Sequence, residues 1–372
     1  MGGFFLIVKL LNIKNFRNYD NLKIKFNPKI NIIYGNNGEG KTNLLESIYF
    51  LALTKSHRSF IDNSLIKKDK NILNVKANFE IYNIISNFEI NIFENKKILK
   101  KDNNEIKRLS DYLSNINVII FYPDDLQIIK GSPVERRNFL NIELSQIFNN
   151  YIDILNKYNK ILKMRNNYLK NNIIFDENYF DIITEHMIDY AIILTKLRKK
   201  FINKINLKCA EIYKNITLLD NFYIKYVSNI NEIEDKEKLK KMYKNIEQQE
   251  KKYKVTLIGP QKDDLEFYVE NKNLKNFGSQ GQQRLAILAM KLSELEIIKE
   301  IKGESPILLL DDVLSEIDIE KRNKLLKYVI SKSQVIITTT DLKNIDEKIL
   351  KKSKKIYIEK GKIKRKGEVN GK

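Results

Sequence analysis

The sequence predicts an α/β protein, in which a P-loop head built on a mixed sheet with an antiparallel lobe is interrupted by a mainly helical insert. Three observations predict it. Gly35-Asn36-Asn37-Gly38-Glu39-Gly40-Lys41-Thr42 fits the phosphate-binding pattern G-x-x-x-x-G-K-[ST] at every fixed position. Pro306 to Asp312 (PILLLDD) reads as a buried strand ending in two acids. No glycine lies between Gly131 and Gly259, and so long a run without breakers reads as helical. The expected division is a head formed by residues 1–132 and 252–372 around a helical arm or lid at 133–251.

Residues 5 to 34 read as strands. The apolar patch Phe4 to Val8 is broken by Lys9 and followed by no small-residue cleavage site, so it reads as the first of them. With no apolar run of 18 residues anywhere, the expectation is a cytoplasmic protein without a membrane partner. Lys29 to Tyr34 gives a short buried strand and Thr42 to Leu53 an apolar helix, so the glycine loop sits between strand and helix as a P-loop must. Glycines let the backbone N–H groups curl around an anion, and the helix N-terminus adds partial positive charge. Lys41 is placed to reach the β- and γ-phosphates of ATP, and the Thr42 hydroxyl to bind Mg²⁺.

Val75, Ala77, Phe79 and Ile81 alternate with polar partners, and Phe88, Ile90 and Ile92 repeat the pattern, as an antiparallel pair does. Asn117 to Phe121 reads as a further strand stopped by Pro123. From Pro133 to Glu250 apolar residues recur at helical spacing, with one strand at Phe222 to Val227 and no sustained heptads. Ser279 and Gln282 then have the spacing of a capping box for a helix with Leu285, Leu288, Leu292 and Leu295 on one face. A sharper reading makes Ser279, Gly281 and Gln282 a second anion site, aimed at the γ-phosphate held by another copy of the chain. Asp311 would hold Mg²⁺ and Asp312 orient or deprotonate the attacking water; an ordinary strand capped by acids is the plainer alternative. The basic end from Lys360 to Lys372 reads as a solvated, frayed tail.

A net charge of +20 points to a polyanion, either nucleic acid or an anionic membrane surface. Only ten of the 67 basic residues are arginine, however, and a solvated lysine surface explains the same charge. One cysteine and two histidines exclude a disulfide framework and a Cys/His metal site.

The P-loop, the S-x-G-Q signature and the Ser315-Glu316-Ile317-Asp318 segment together resemble an ABC-type ATPase head. The closest resemblance is to the RecF family of bacterial recombination mediators. It is carried by Asn15-Phe16-Arg17-Asn18-Tyr19, Lys41 to Glu46, Ser56-His57-Arg58, Phe121 to Leu126, Lys130 to Pro133 with Arg136-Arg137, Gly278 to Arg284 and Asp311 to Glu316. These cover most of the chain in order, except the helical middle.

The resemblance implies ATP sandwiched between two heads, hence an ATP-dependent homodimer and slow hydrolysis used as a switch. It also implies DNA binding at gaps where single strands meet duplex, with RecO and RecR helping RecA to load, in DNA repair, replication, recombination and the SOS response. Arg58, Arg136, Arg137, Lys196, Arg198, Lys199 and Lys200 are the candidates for phosphate contacts, although each could equally pair with acids or face solvent. Two departures stand out. Gln261-Lys262 replaces the His-Arg pair of the family's G-P-H-R-D-[DE] stretch, and Thr340 stands where many ABC ATPases carry a switch histidine. Gln127 is the candidate for the Q-loop glutamine. Other classes compatible with the nucleotide motifs are an ABC transporter ATPase subunit, an SMC-like structural head and a small-molecule P-loop kinase.

Overall fold

The computed structural model describes residues 4–364, apart from 60, 95, 114, 172–174, 218–220, 231–234 and 344, and apart from the side chains of 4, 315 and 316. The first strands are β1 (Phe4–Phe5), β2 (Ile7–Phe16), β3 (Tyr19–Lys25) and β4 (Ile30–Tyr34), followed by helix α1 (Lys41–Leu53). Next come β5 (Ile72–Ile81), β6 (Ile84–Phe93), β7 (Lys96–Lys101), β8 (Asn104–Glu105), α2 (Leu109–Tyr112) and β9 (Val118–Phe121). The helical run holds α3 (Gln127–Lys130), α4 (Pro133–Ile147), α5 (Tyr151–Asn171), α6 (Glu177–Thr217), β10 (Phe222–Val227) and α7 (Lys236–Tyr253). Then follow β11 (Asp264–Val269), β12 (Lys272–Asn273), α8 (Leu274–Phe277), α9 (Gln280–Lys302), β13 (Glu304–Ser305) and β14 (Ile307–Asp311). The chain closes with α10 (Ile319–Ile330), β15 (Val335–Thr339), α11 (Glu347–Lys352), β16 (Lys354–Glu359) and β17 (Lys362–Lys364).

Two compact units result: Met1–Asp125 with Met290–Lys372, and Leu126–Ala289. The first contains two six-stranded sheets, one mostly parallel in the order β17-β16-β4-β15-β14-β9, the other antiparallel in the order β3-β2-β5-β6-β7-β8. Helix α1 touches strands of both, β9, β14 and β15 on one side and β2, β5 and β6 on the other. That explains why it is apolar all round: every residue from Leu44 to Leu53 is buried. Strands β4 and β14, interior to the parallel sheet, and β9 at its edge are buried at every position, whereas β5 alternates buried and half-exposed residues.

The second unit holds α3 to α8 and the small sheet β10-β11-β12. Its boundaries differ from the expected 132/133 and 251/252, for a physical reason. Strand β10 pairs along its whole length with β11, from Phe222 opposite Val269 to Val227 opposite Asp264. A cut at residue 252 would sever that ladder, which ties Asp264–Val269 to the helical run; the unit continues to Ala289. Two smaller expectations also change. Helix α9 is buried at every position from Ala286 to Leu295 rather than along one stripe. The basic end begins as structure, since Lys362–Lys364 pairs with β16, and residues 365–372 lie outside the described residues. Among the described residues no helix is long and apolar enough to cross a membrane.

Candidate nucleotide-binding site

The P-loop leaves the end of β4, passes Gly35 and Gly40 and enters α1 at Lys41. Gly35 needs to be glycine because a Cβ there would collide with the Ile358 carbonyl of β16. Gly40, with φ at +111°, holds a backbone that other residues avoid and leaves no room beside the Asn18 side chain. Two turns remote in sequence grip the loop. From the β2–β3 turn, Asn18 Nδ2 donates to the Glu39 carbonyl at 3.2 Å and the Tyr19 hydroxyl to the Gly40 carbonyl at 2.9 Å. From the β16–β17 turn, the Gly361 amide donates to the same Glu39 carbonyl at 3.1 Å and the Lys360 amide to the Glu39 carboxylate.

Lys41 Nζ donates to the carbonyls of Gly35 and Asn36, both at 2.8 Å, so the ammonium already lies inside the loop that would cradle phosphate. Burial lowers its pKa, and Asp312, Asp311 and Glu39 oppose that shift. Asn36, Asn37 and Gly38 are exposed.

The parallel sheet brings the second half of the site to this loop. The Thr42 hydroxyl donates to Asp311 Oδ1 at 2.9 Å, and the Thr338 hydroxyl donates to the same oxygen at 2.7 Å. Thr338 Oγ1 in turn accepts the Asp312 amide at 3.0 Å. Asp312 takes a left-handed conformation, φ 52°, which ends the strand. Burial raises the pKa of both acids; hydrogen bonds from Thr338 and Thr42 oppose this at Asp311, and the Lys41 charge opposes it at Asp312. Thr338 is therefore the threonine that ties the two acids together, while Thr340 is exposed one step beyond β15. Parallel register was the signal that could have found it, because Asp311 and Thr338 are direct partners across β14 and β15.

Thr42 and Asp311 suit Mg²⁺, which prefers hard oxygen donors and takes its remaining ligands from phosphate and water. Among the described residues no group of three or more His, Cys, Asp or Glu could hold a metal unaided. Behind the loop, Glu46 is fully buried, accepts hydrogen bonds from Arg17 and Ser56, and faces the Arg58 charge at 3.7 Å. Arg58 also donates to Asn43 Oδ1 at 3.0 Å and keeps 44% of its side chain in solvent. His57 packs between the rings of Tyr49 and Tyr122, and burial pushes its pKa down to about 4, so it is neutral near pH 7.

In the second unit, Ser279 and Gln282 form the capping box: the Ser279 amide donates to Gln282 Oε1 at 2.9 Å and the Gln282 amide to Ser279 Oγ at 3.2 Å. Ser279 and Gly281 are exposed at this helix start. Two of the phosphate-contact candidates prove to be interior ties. Arg136, 4% exposed, clasps Asp264 through two nitrogens and donates to the Gly131 carbonyl at 2.9 Å. Arg198, 2% exposed, donates to Asp263 Oδ2 at 3.1 Å and the Pro260 carbonyl at 2.7 Å. Neither has surface left for a phosphate. Arg137 is half-buried and donates to the Asp263 carbonyl at 2.9 Å, whereas Lys196, Lys199 and Lys200 are exposed on α6. All three arginines thus brace the Gly259 to Asp264 stretch, where Gln261 bonds the Tyr158 hydroxyl and the Ile258 carbonyl while Lys262 is exposed. Gln127 is exposed on α3.

Residues 7–122 match the family described as RecF/RecN/SMC N terminal domain. Fold and site together define an ABC-type P-loop ATPase head carrying a second, mainly helical unit. Over 364 residues the chain is 42% identical to the DNA replication and repair protein RecF of Clostridium botulinum (strain 657 / Type Ba4), covering 97% of this chain and all of that protein. It is 41% identical over 363 residues to the RecF of Listeria monocytogenes serotype 4b (strain CLIP80459), covering 95% of this chain and 98% of that one. The chain belongs to the RecF family. A solved structure of the recombination mediator protein RecF with ATP is similar at TM-score 0.89 and 30% identity, over 97% of this chain and 98% of that chain. The Smc head domain of Pyrococcus furiosus shares the fold at TM-score 0.55 and 15% identity, over 96% of this chain and 95% of that chain.

Proposed function

We propose that this protein is an ATP-switched DNA-binding mediator, which closes as a head-to-head homodimer on DNA at junctions of single strand and duplex. The observation that carries the reading is the 2.9 Å bond between Thr42 and Asp311, 269 residues apart, at the mouth of a loop that already encloses the Lys41 ammonium. Gly35 to Thr42 would hold the triphosphate through backbone N–H groups and Lys41, with Thr42 and Asp311 holding Mg²⁺. Bound Mg²⁺ supplies neutralisation of the phosphate charge. Asp312, whose burial raises its affinity for a proton, accepts one from the attacking water. It is one methylene shorter than glutamate, which fits slow turnover and a timing role.

Ser279, Gly281 and Gln282 of the second copy would close over the γ-phosphate, so nucleotide contributes contacts only in the closed pair and shifts the equilibrium toward it. The exposed Lys196, Lys199 and Lys200, with Arg58 and the half-buried Arg137, remain for DNA phosphates. By family resemblance the partners are RecR with RecO, and indirectly RecA, in cytoplasmic DNA repair and the SOS response.

Sedimentation of Asp312→Asn with and without ATP and Mg²⁺, and with a labelled gapped duplex in parallel, tests the reading. An ATP-dependent step from monomer to dimer that also captures the DNA is expected. A protein that stays monomeric, or binds the duplex equally well without nucleotide, overturns the coupling.

A further inference from the structure

Phe277 ends helix α8 with 74% of its surface in water. The turn that carries it is fixed on every side. The Asn273 side chain accepts the Lys275 amide at 2.9 Å, and the Leu274 carbonyl accepts both the Gly278 amide at 3.1 Å and the Gln283 side-chain amide at 2.7 Å. Lys275 Nζ donates to the Gly131 carbonyl at 3.0 Å, and the Leu274 side chain beneath is buried. Gly278 lacks room for a side chain, since a Cβ would lie 2.7 Å from the Leu274 carbonyl. A well-anchored turn therefore holds an aromatic ring in solvent, forgoing its burial.

Single exposed apolar residues are ordinary and need no explanation. Chain continuity sets this one apart. Ser279 stands two residues further on, and two residues of chain span at most about 7 Å. Phe277 and Ser279 therefore leave the same turn, both exposed, with their backbones no more than about 7 Å apart. We propose that Phe277 is the apolar anchor of the closed pair, docking on a second copy of this chain beside its P-loop. The inference rests on the sandwich described under the proposed function. A ring buried at the centre of an interface, next to the ligand that bridges it, is the kind of group that dominates binding energy.

Phe277→Ala and Phe277→Asp, each combined with Asp312→Asn, are compared with Asp312→Asn alone by sedimentation in ATP and Mg²⁺. The alanine variant is expected to dimerise about ten- to a hundred-fold more weakly and the aspartate variant not at all, with thermal melting of the monomers unchanged. Phe277→Cys, again with Asp312→Asn, gives a second readout through maleimide labelling. Cys209 stays inert because it is buried, which pushes its thiol up to about 12. The introduced thiol should react freely without nucleotide and be protected in ATP and Mg²⁺. Undiminished dimerisation of Phe277→Ala, or a thiol equally reactive in both states, overturns the anchor and leaves the sandwich standing. A parent protein that never dimerises overturns both.

Discussion

Arg17 and Glu46 meet in a two-pronged ion pair, Nε to Oε2 at 2.9 Å and Nη2 to Oε1 at 2.6 Å, with the carboxylate fully buried and the guanidinium 20% exposed. Burial alone would raise the Glu46 pKa; hydrogen bonds from Arg17 and Ser56 and the Arg17 charge outweigh it, so the carboxyl lies below its ordinary value. A depressed carboxyl pKa stabilises the fold above the unfolded value, about 4.3, and that share is lost as pH falls below it. Arg17→Ala removes the closer of the two guanidinium partners of this buried charge, leaving the Ser56 hydroxyl and the Arg58 charge at 3.7 Å, and should cost about 2 kcal/mol in denaturant titration at pH 7. The deficit should shrink in acid, as Glu46 takes up a proton.

Thr338 is the hinge of the acid pair. Thr338→Val keeps the shape but removes the donor to Asp311 and the acceptor for the Asp312 amide. Losing a buried partner of a charged group is worth about 1–3 kcal/mol, so phosphate release should fall by about ten-fold or more. Filter binding should find nucleotide still held by the P-loop. Wild-type turnover in Thr338→Val would remove Thr338 from the site.

Glu304 is buried, its Oε2 makes no hydrogen bond, and burial pushes its pKa up to about 7 despite nearby Lys302. A raised carboxyl pKa means the folded protein binds the extra proton, so stability rises as pH falls through 7 toward the unfolded value. Glu304→Gln should melt higher than the parent above pH 7, with the difference closing in mild acid. A parent whose melting temperature does not change across this range would contradict the assignment.

Arg198 and its lysine neighbours should behave oppositely. Arg198→Ala strands the buried Asp263 and should destabilise the protein by about 3–5 kcal/mol. Replacing Lys196, Lys199 and Lys200 by alanine should leave melting within about 0.5 kcal/mol of the parent. If each lysine neutralises one phosphate, the triple variant flattens the dependence of log affinity on log salt by about 2.7 on duplex DNA. An unchanged slope would place the DNA elsewhere.

What was legible in the sequence was local. The P-loop, the acid-tipped strand, the alternation of β5 and β6, the bounds of β10 and the Ser279 to Gln282 capping box are each written within a few consecutive residues. What escaped depended on partners far along the chain. Arg136 and Arg198 looked like surface cations because Asp264 and Asp263, which bury them, lie 128 and 65 residues away. The unit boundary followed β10 to β11 pairing, which no composition shift marks. Thr338 was hidden among three threonines until strand register singled it out.

The position of β4 sets a timetable for biosynthesis. The strand that launches the phosphate loop is sandwiched between β15 and β16, and the loop itself is gripped by Lys360 and Gly361. On the ribosome, Ile30–Tyr34 emerges some 300 residues before its sheet neighbours. Throughout that interval its edges have no native partner strand, which makes it a target for chaperones and a risk for misassembly. The contacts that hold the loop in shape are therefore complete only once synthesis has passed residue 361.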